Sequence, residues 1–251
     1  MPAPDVISLR QFYSSALGQR VKKRLRRLLL TQWPEHAGEI ILGLGYAPPL
    51  LRALERTEGA PAQLIAAMPA RQGAIYWPVH ADNRSFLVEE TALPLADNSI
   101  HRIILLHALE HHPAPQELLT ECFRVLAPGG RLLLVTPRRP SLWRALGATP
   151  FAVGKAYRPS SLKQLLRGSD FTLRDLRGAL FAPPLTHPFW LGSWGLWEFL
   201  GSAVCWGCGG VLVAEAEKQI YAAIPEPVKA RKKHQRWAPA AEPTAATRDG
   251  G

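Results

Sequence analysis

The stretch ECFRVLAPGGRLLLVTP, residues 121–137, determines the fold class of this chain. It contains the end of a helix predicted over 115–126, whose apolar positions share one face, and a Pro-Gly-Gly triplet that closes that helix. A strand predicted over 131–135 follows. This strand is too apolar to have a face in water, so it belongs inside a mostly parallel sheet covered on both sides.

Six more strands are predicted on either side of that stretch. The segment LPLADNSIHRIILLHALEH, residues 93–111, contains an almost unbroken β-branched and leucine run at 100–106. The other predicted strands lie at 39–44, 63–68, 84–89, 171–181 and 210–216. Because strands alternate with helices, the sequence predicts an α/β protein with a mostly parallel seven-stranded sheet and helices on both faces.

The remaining apolar patterns are helical. Leucines and aromatics recur at helical spacing among basic residues from 9 to 32, where Pro34 ends the pattern. We therefore predict a basic amphipathic N-terminal helix, residues 1–34, packed on a domain that spans 35–224. Residues 225–251 have little to bury and are expected to form a disordered tail. Further helices are predicted at 48–56, 160–166 and 194–204.

The formal net charge of +10 is concentrated at the two ends of the chain. Seven basic residues lie between Arg10 and Arg27, and five lie between Lys229 and Arg236. Such clusters attract phosphate-rich partners, either nucleic acid or an anionic membrane surface. They are equally typical of a solvated helix face and a disordered tail, and the sequence leaves these alternatives open.

Three cysteines are too few for a disulfide framework, and no secretory leader opens the chain, so we expect a cytoplasmic protein. Cys205 and Cys208 form a CxxC pair that we interpret as two small core residues. The apolar stretch 189–214 carries Glu198 and six glycines, which favours a core helix and a buried strand over a membrane span. Shallow membrane docking by its tryptophans is the alternative.

These residues resemble the class I S-adenosylmethionine-dependent methyltransferases, in particular the bacterial type 11 branch. The likeness is carried by residues 93–111 and 121–137 and by the first-strand segment IILGLGYAPPLL at 40–51. It covers about residues 38–137. The resemblance implies a Rossmann-like fold, S-adenosylmethionine as the cofactor and methyl transfer as the reaction.

The resemblance also implies where the cofactor binds and where this chain departs from the family. The positions are Gly43, Gly45, Tyr46, Ala47, Met68, Glu89, Glu90, Thr91 and Leu106. Glu89 stands where the family receives the adenine amino group. Three positions are degenerate: Gly43 replaces an acid on the first strand, Pro49 replaces a loop glycine, and Met68 replaces the acid that binds the ribose.

His107 lies where a substrate-side residue would stand, at the end of the fourth predicted strand, and is the candidate catalytic residue. A packed, hydrogen-bonded histidine is the alternative. His107, His111 and His112 have no Cys or carboxylate set at ligand spacing, so we expect no metal. Trp194, Trp197 and Trp206 are interpreted as core or as a lid.

Two functions follow from the sequence. The first is an S-adenosylmethionine-dependent methyltransferase that acts on an unidentified, small acceptor. The alternative is a catalytically inactive, methyltransferase-like binding or regulatory module that uses its basic ends to engage nucleic acid or a membrane surface. Methyl transfer from a sulfonium depends mainly on positioning, so the sequence names no further catalytic group.

Overall fold

The computed structural model describes residues 4–55, 59–146, 149–204 and 209–219. The predicted tail and the residues Cys205, Trp206 and Cys208 lie outside these ranges. The strands are β1 (Ile40–Gly45), β2 (Gln63–Pro69), β3 (Ser85–Val88), β4 (Ile100–Leu106), β5 (Leu126–Pro137), β6 (Phe171–Ala179) and β7 (Val211–Lys218). The helices are α1 (Val6–Ser14), α2 (Ala16–Gln32), α3 (Pro48–Leu54), α4 (Pro115–Val125), α5 (Leu142–Ala145), α6 (Pro159–Arg167), α7 (Pro188–Gly192) and α8 (Trp194–Val204), with a 3-10 turn at Pro150–Ala152.

The seven strands form one sheet in the order β3-β2-β1-β4-β5-β7-β6. The five strands from β3 to β5 in this order are parallel, whereas β7 runs antiparallel to both β5 and β6. This arrangement confirms the predicted mostly parallel, Rossmann-like sheet.

Alternate residues of the strands face two separate cores. In β4, Ile104 packs with α1, α2 and α3, whereas Ile103 and Leu105 pack with α4 and α6. Ile41 and Leu42 of β1 divide in the same way. Both faces of the sheet are therefore covered, as the apolar strands predicted.

The single N-terminal helix predicted over 9–32 is wrong, because α1 and α2 are separate helices. Ser15 between them has extended backbone angles, and its hydroxyl accepts a hydrogen bond from the amide of Gly18 at 3.1 Å. This contact caps the first turn of α2. The apolar spacing continues across the break, so periodicity alone did not show it.

Every strand except β4 differs from its predicted limits at one end or both, and two of these differences have a visible cause. Strand β5 begins at Leu126 and includes the Pro-Gly-Gly triplet, because Leu126 already pairs with Ile100 of β4. Strand β6 ends at Ala179, and Leu180 adopts a left-handed backbone conformation with φ of +60°. In both places, pairing with a neighbouring strand or a local change of backbone set the limit.

Helix α8 has the predicted limits but is not a core helix. Trp194 and Glu198 are buried, yet Leu196 and Phe199 are 58% and 70% exposed. Over residues 194–200, one side of the helix packs on the protein and the other is exposed. No helix in the described parts of the chain is long and apolar enough to cross a membrane.

The N-terminal helices place side chains beyond the carboxyl ends of the central strands. The amide of Val6 donates to the carbonyl of Gln72 at 2.8 Å and ties α1 to the turn after β2. Trp33, which ends α2, is fully buried and donates from Nε1 to Glu215 Oε1 of β7 at 3.0 Å. The pair α1 and α2 is thus fastened at both ends.

Candidate functional site

The strand order reverses between β1 and β4, and ligands of such sheets bind beyond the carboxyl ends at that point. Gly45 and Leu106 are paired there, and the amide of Tyr46 donates to the Leu106 carbonyl at 2.8 Å. Gly45 has φ of +88°, and a Cβ on it would lie 2.2 Å from that carbonyl oxygen. Close approach of the two strands therefore requires glycine at this position.

Side chains of α1 fill the crevice above this pair. The ring of Tyr13 stacks on Tyr46 with 5.6 Å between centroids, and its hydroxyl lies 2.9 Å from His107 Nε2. Phe151 packs against the imidazole of His107 with 4.6 Å between centroids. Tyr13, Tyr46 and His107 are all buried.

His107 is held from several directions. Its Nδ1 lies 3.2 Å from Glu110 Oε1, its carbonyl accepts from Gln72 Nε2 at 3.1 Å, and its backbone is left-handed with φ of +56°. A left-handed non-glycine residue stores strain that its surroundings must sustain, and such residues cluster at functional sites. The structure thus places the predicted catalytic residue in a constrained, fully buried position.

The Tyr13 phenol keeps its proton in this environment. Burial raises the pKa of Tyr13 well above its ordinary value, and the carboxylate of Glu110 raises it further. The Tyr13 hydroxyl can then donate to His107 Nε2, and a proton on Nδ1 would face Glu110. Tyr13, His107 and Glu110 form a buried relay of hydrogen bonds.

The predicted adenine end of the site follows β3, which is separated from β1 by β2, at the same carboxyl edge of the sheet. Glu89 is exposed, whereas Glu90 is buried and paired with Arg71. Burial raises the pKa of Glu90, and Arg71 opposes this shift. Thr91 is half-buried. Residues 70–72, which follow β2, contact both regions, because Arg71 pairs with Glu90 and Gln72 donates to the carbonyl of His107.

Two of the three degenerate positions, Gly43 and Met68, are closed by packing. Met68 is fully buried, and its sulfur accepts a hydrogen bond from the amide of Ile75 at 3.4 Å. A Cβ on Gly43 would lie 2.5 Å from the Cβ of Ala47 and 2.8 Å from Leu51, so this position has no room for an acid. Helix α3 packs directly on β1 in this chain.

As arranged here, Tyr13 closes the crevice to an adenosyl sulfonium. Tyr13 occupies the space over Tyr46, Gln72 bridges to His107, and Met68 offers no carboxylate to a ribose. The nine predicted cofactor positions are brought to one edge of the sheet, and their role stays a prediction. Entry of a cofactor would require Tyr13 to leave the crevice.

A cavity of about 430 Å³ lies beside the crevice. Its lining includes Tyr13 and Tyr46, which also border the crevice, and the aromatic residues Tyr76 and Trp77. Its charged lining residues are all cationic: Arg10, Lys22, Arg26 and Arg52. Burial lowers the pKa of Lys22, and the nearby Arg26 and Arg52 lower it further. This space is of the size that holds small ligands and favours an anion.

Sequence reasoning missed Tyr13, Glu110 and the cationic cavity. Tyr13 is one aromatic among several in an amphipathic pattern, and nothing in its spacing showed that it reaches His107. Glu110, three residues after His107, was the one signal that could have been found.

The expectation that the histidines lack a carboxylate at ligand spacing is corrected by the structure. Ligand atoms of His107, Glu110 and His111 lie within 4.8 Å of one another, as do those of Glu89, Glu90 and His112. The first set follows from the left-handed turn at His107, which brings residues three and four positions apart together. That the chain binds no metal stays a prediction.

Comparisons with known proteins identify sequence relatives. A family model described as "Methyltransferase domain" matches residues 31–134. A ubiquinone biosynthesis O-methyltransferase of Xanthomonas oryzae is 29% identical over 168 residues, 59% of this chain and 68% of the relative. A protein of Mycolicibacterium smegmatis named as a probable S-adenosylmethionine-dependent methyltransferase is 33% identical over 97 residues, 38% of this chain and 37% of its own length.

Solved structures show the same fold. An S-adenosylmethionine-dependent methyltransferase of Thermotoga maritima superposes with a TM-score of 0.57 at 14% identity, covering 84% of this chain and 94% of that one. A second, from Mesorhizobium loti, has a TM-score of 0.53 at 14% identity and covers 76% and 96%. At this identity the likeness concerns the architecture alone.

Proposed function

We propose that this chain is a class I S-adenosylmethionine-dependent methyltransferase that transfers a methyl group to an oxygen atom of a small acceptor. S-adenosylmethionine is the cofactor of this family and supplies an activated methyl group. The sequence relatives named O-methyltransferases support oxygen as the acceptor atom. The alternative of a catalytically inactive module finds no support in these comparisons.

The buried relay of Tyr13, His107 and Glu110 is the observation that carries this proposal. An oxygen nucleophile becomes more reactive when a base removes its proton. With Tyr13 displaced, His107 Nε2 offers a free acceptor at the switch point, and Glu110 stabilises the imidazolium that forms. His107 would act as the base, and Glu110 would position it.

The cationic cavity supports an acceptor that is small and anionic. The cavity is lined by cations that include Arg10, Lys22 and Arg52, and none of its lining residues is an acid. Trp77 contributes an aromatic ring to the lining. The cavity reaches the relay through Tyr13, which borders both. An acceptor with a carboxylate and a flat ring would fit this chemistry.

Calorimetric titration of the full chain with S-adenosylmethionine and with its demethylated product tests the proposal. We expect Tyr13→Ala to bind both ligands more tightly than the unmodified chain, because it empties the crevice. Tyr13→Phe is the matched control, since it keeps the ring but loses the hydroxyl, and it should bind like the unmodified chain. Absence of heat with all three proteins at millimolar ligand would contradict the proposal.

An acceptor screen completes the test once cofactor binding is established. Small aromatic carboxylates with a free hydroxyl are the first class to assay for methyl incorporation. His107→Ala should lose activity while it retains cofactor affinity, and Glu110→Gln should shift the pH profile of the reaction. Equal activity of His107→Ala and the unmodified chain would exclude His107 as the base.

A further inference from the structure

Helix α8 presents apolar side chains outward and a charged one inward. Leu196, Phe199 and Leu200 are 58%, 70% and 43% exposed, whereas Glu198 is only 6% exposed. A helix that packs on a protein core normally shows the reverse distribution. The exposed side of α8 therefore has the apolar composition of an interaction surface.

The exposed apolar surface continues onto α7. The large apolar side chains exposed between residues 189 and 200 are Phe189, Leu196, Trp197, Phe199 and Leu200, which we call the apolar face. They are five of the eleven large apolar side chains exposed in the described part of the chain, concentrated in twelve residues. Contiguous apolar patches of this kind mark interaction surfaces.

Cationic side chains of α2 border the apolar face. Arg20, Lys23 and Arg27 line a groove of about 260 Å³ together with Phe199. Arg24 also lines it and pairs with the buried Glu198, at 2.9 Å between Nε and Oε2. Glu198 is the one acid among the groove's lining residues, where it is outnumbered by four cations.

The ion pair fixes the geometry of this surface. Glu198 also accepts a hydrogen bond from the amide of Ala182 at 3.2 Å, so α8 is held both to α2 and to the segment after β6. Burial raises the pKa of Glu198, and Arg24 opposes this shift. The cationic side of α2 and the apolar face consequently stay next to each other.

We propose that the apolar face and the cationic side of α2 dock together on the surface of an anionic lipid bilayer. Interfacial helices insert apolar and aromatic side chains at the boundary of headgroups and acyl chains, while neighbouring lysines and arginines bind the headgroups. Helix α8 has 11 residues and is too short to span a membrane, which fits a helix that lies on the surface.

The same observations disfavour other partners. The phosphates of a nucleic acid would bind the cations of α2, but they would leave exposed leucines such as Leu196 and Leu200 without an apolar contact. A second copy of this chain would bring Arg20, Lys23 and Arg27 near like charges. A bilayer with anionic headgroups complements both halves of the surface.

Co-sedimentation of the full chain with phospholipid vesicles tests the proposal. One vesicle population contains phosphatidylcholine alone, and the other contains phosphatidylcholine with phosphatidylglycerol. We expect binding to the anionic vesicles, weakened by salt, and little binding to the neutral ones. Equal absence of binding to both populations at low salt would overturn the proposal.

Substitutions separate the apolar and cationic contributions. Leu196→Ser should reduce the partition coefficient on anionic vesicles about tenfold, because it removes one inserted side chain. Leu87→Ser is the matched control, since Leu87 is 55% exposed on β3 at the opposite edge of the sheet, and it should bind normally. Lys23→Gln and Arg27→Gln should each weaken binding about fivefold.

Two further outcomes would contradict the proposal. Vesicle binding that is unchanged by Leu196→Ser and abolished by an RNA oligomer would show that the cations bind nucleic acid. Dimers in light scattering that dissociate in Leu196→Ser, without vesicle binding by the unmodified chain, would assign the surface to a second copy. Thermal unfolding monitored by circular dichroism verifies that each variant is folded.

Discussion

Gly45 shows at the scale of one residue why the first loop needs glycine. Its positive φ is strained for any other residue, and a Cβ there would also collide with the Leu106 carbonyl. The family resemblance attributes this glycine to the cofactor. In this chain the contact between β1 and β4 already demands it, whatever binds above.

We expect Gly45→Ala to lower the free energy of unfolding by about 3 kcal/mol or more, measured by urea denaturation. Gly38→Ala is the control, because Gly38 also has a positive φ, +72°, but a Cβ on it would have no neighbouring atom within 4 Å. It should cost only about 1–2 kcal/mol. Equal losses of unfolding free energy in both variants would show that the backbone shifts to relieve the collision between the added Cβ and the Leu106 carbonyl.

The stacked tyrosine in the crevice predicts a loss of stability at alkaline pH. Burial raises the pKa of Tyr46 from 10.0 to about 12, so the folded state retains a proton that the unfolded state releases. The stability that this phenol contributes is present below pH 10 and is lost as the pH rises to about 12.

Tyr46→Phe should reduce this loss, because it removes the titrating group and keeps the ring that stacks on Tyr13. The measurement is the free energy of unfolding from guanidinium denaturation across that pH interval, in the variant and the unmodified chain. The same pH dependence in both proteins would rule out Tyr46 as its source.

At the scale of elements, the break between α1 and α2 decides where Tyr13 lies. Tyr13 stands in the last turn of α1, and Ser15 begins α2 with a side-chain cap. A continuous helix would carry the tyrosine in another direction. The cap thus links a local sequence preference to the filling of the crevice.

Ser15→Ala should lower the free energy of unfolding by about 1 kcal/mol, because the amide of Gly18 loses its acceptor. The neighbouring Ser14→Ala is the control, since the Ser14 hydroxyl donates only to the carbonyl of Arg10 one turn earlier. It should change stability by less than about 0.5 kcal/mol. Thermal and urea unfolding measure the stability of the two variants. Equal losses would show that the Ser15 hydroxyl does not stabilise α2 as a cap.

At the scale of the whole molecule, Lys218 joins segments that are far apart in the sequence. Its Nζ donates to the carbonyls of Phe123 and Leu126 at 2.6 and 2.7 Å and to Asn98 Oδ1 at 2.8 Å. These contacts connect the end of β7 to the end of α4 and to the turn before β4. The Lys218 ammonium group therefore fixes the end of the antiparallel strand β7 to α4 and to the start of β5.

Lys218→Met keeps the apolar stem and removes all three hydrogen bonds, so we expect a loss of about 3 kcal/mol or more. Arg174→Met is the control, because Arg174 pairs with Glu217 at a half-exposed surface position and should cost less than about 1 kcal/mol. Urea denaturation compares the two. A loss for Lys218→Met no greater than that of the control would refute the anchoring role.

The sequence by itself determined the strands, the mostly parallel sheet and the position of His107 at its edge. Apolar runs such as 100–106 identify buried strands locally, since every residue of a two-sided strand must avoid water. It also identified Gly45 and Glu89 as residues of one sheet edge. These features depend on neighbours within a few positions along the chain.

Only the tertiary structure decided what fills the crevice and which surfaces stay exposed. Tyr13 meets His107 across 94 positions, and Arg24 meets Glu198 across 174, and spacing along the chain carries no signal for such contacts. Helix α8 is a second example, because its sequence is apolar all around the helix and does not indicate which side packs on the protein. Which side packs depends on the shape of the surface it meets, a property of the folded chain as a whole.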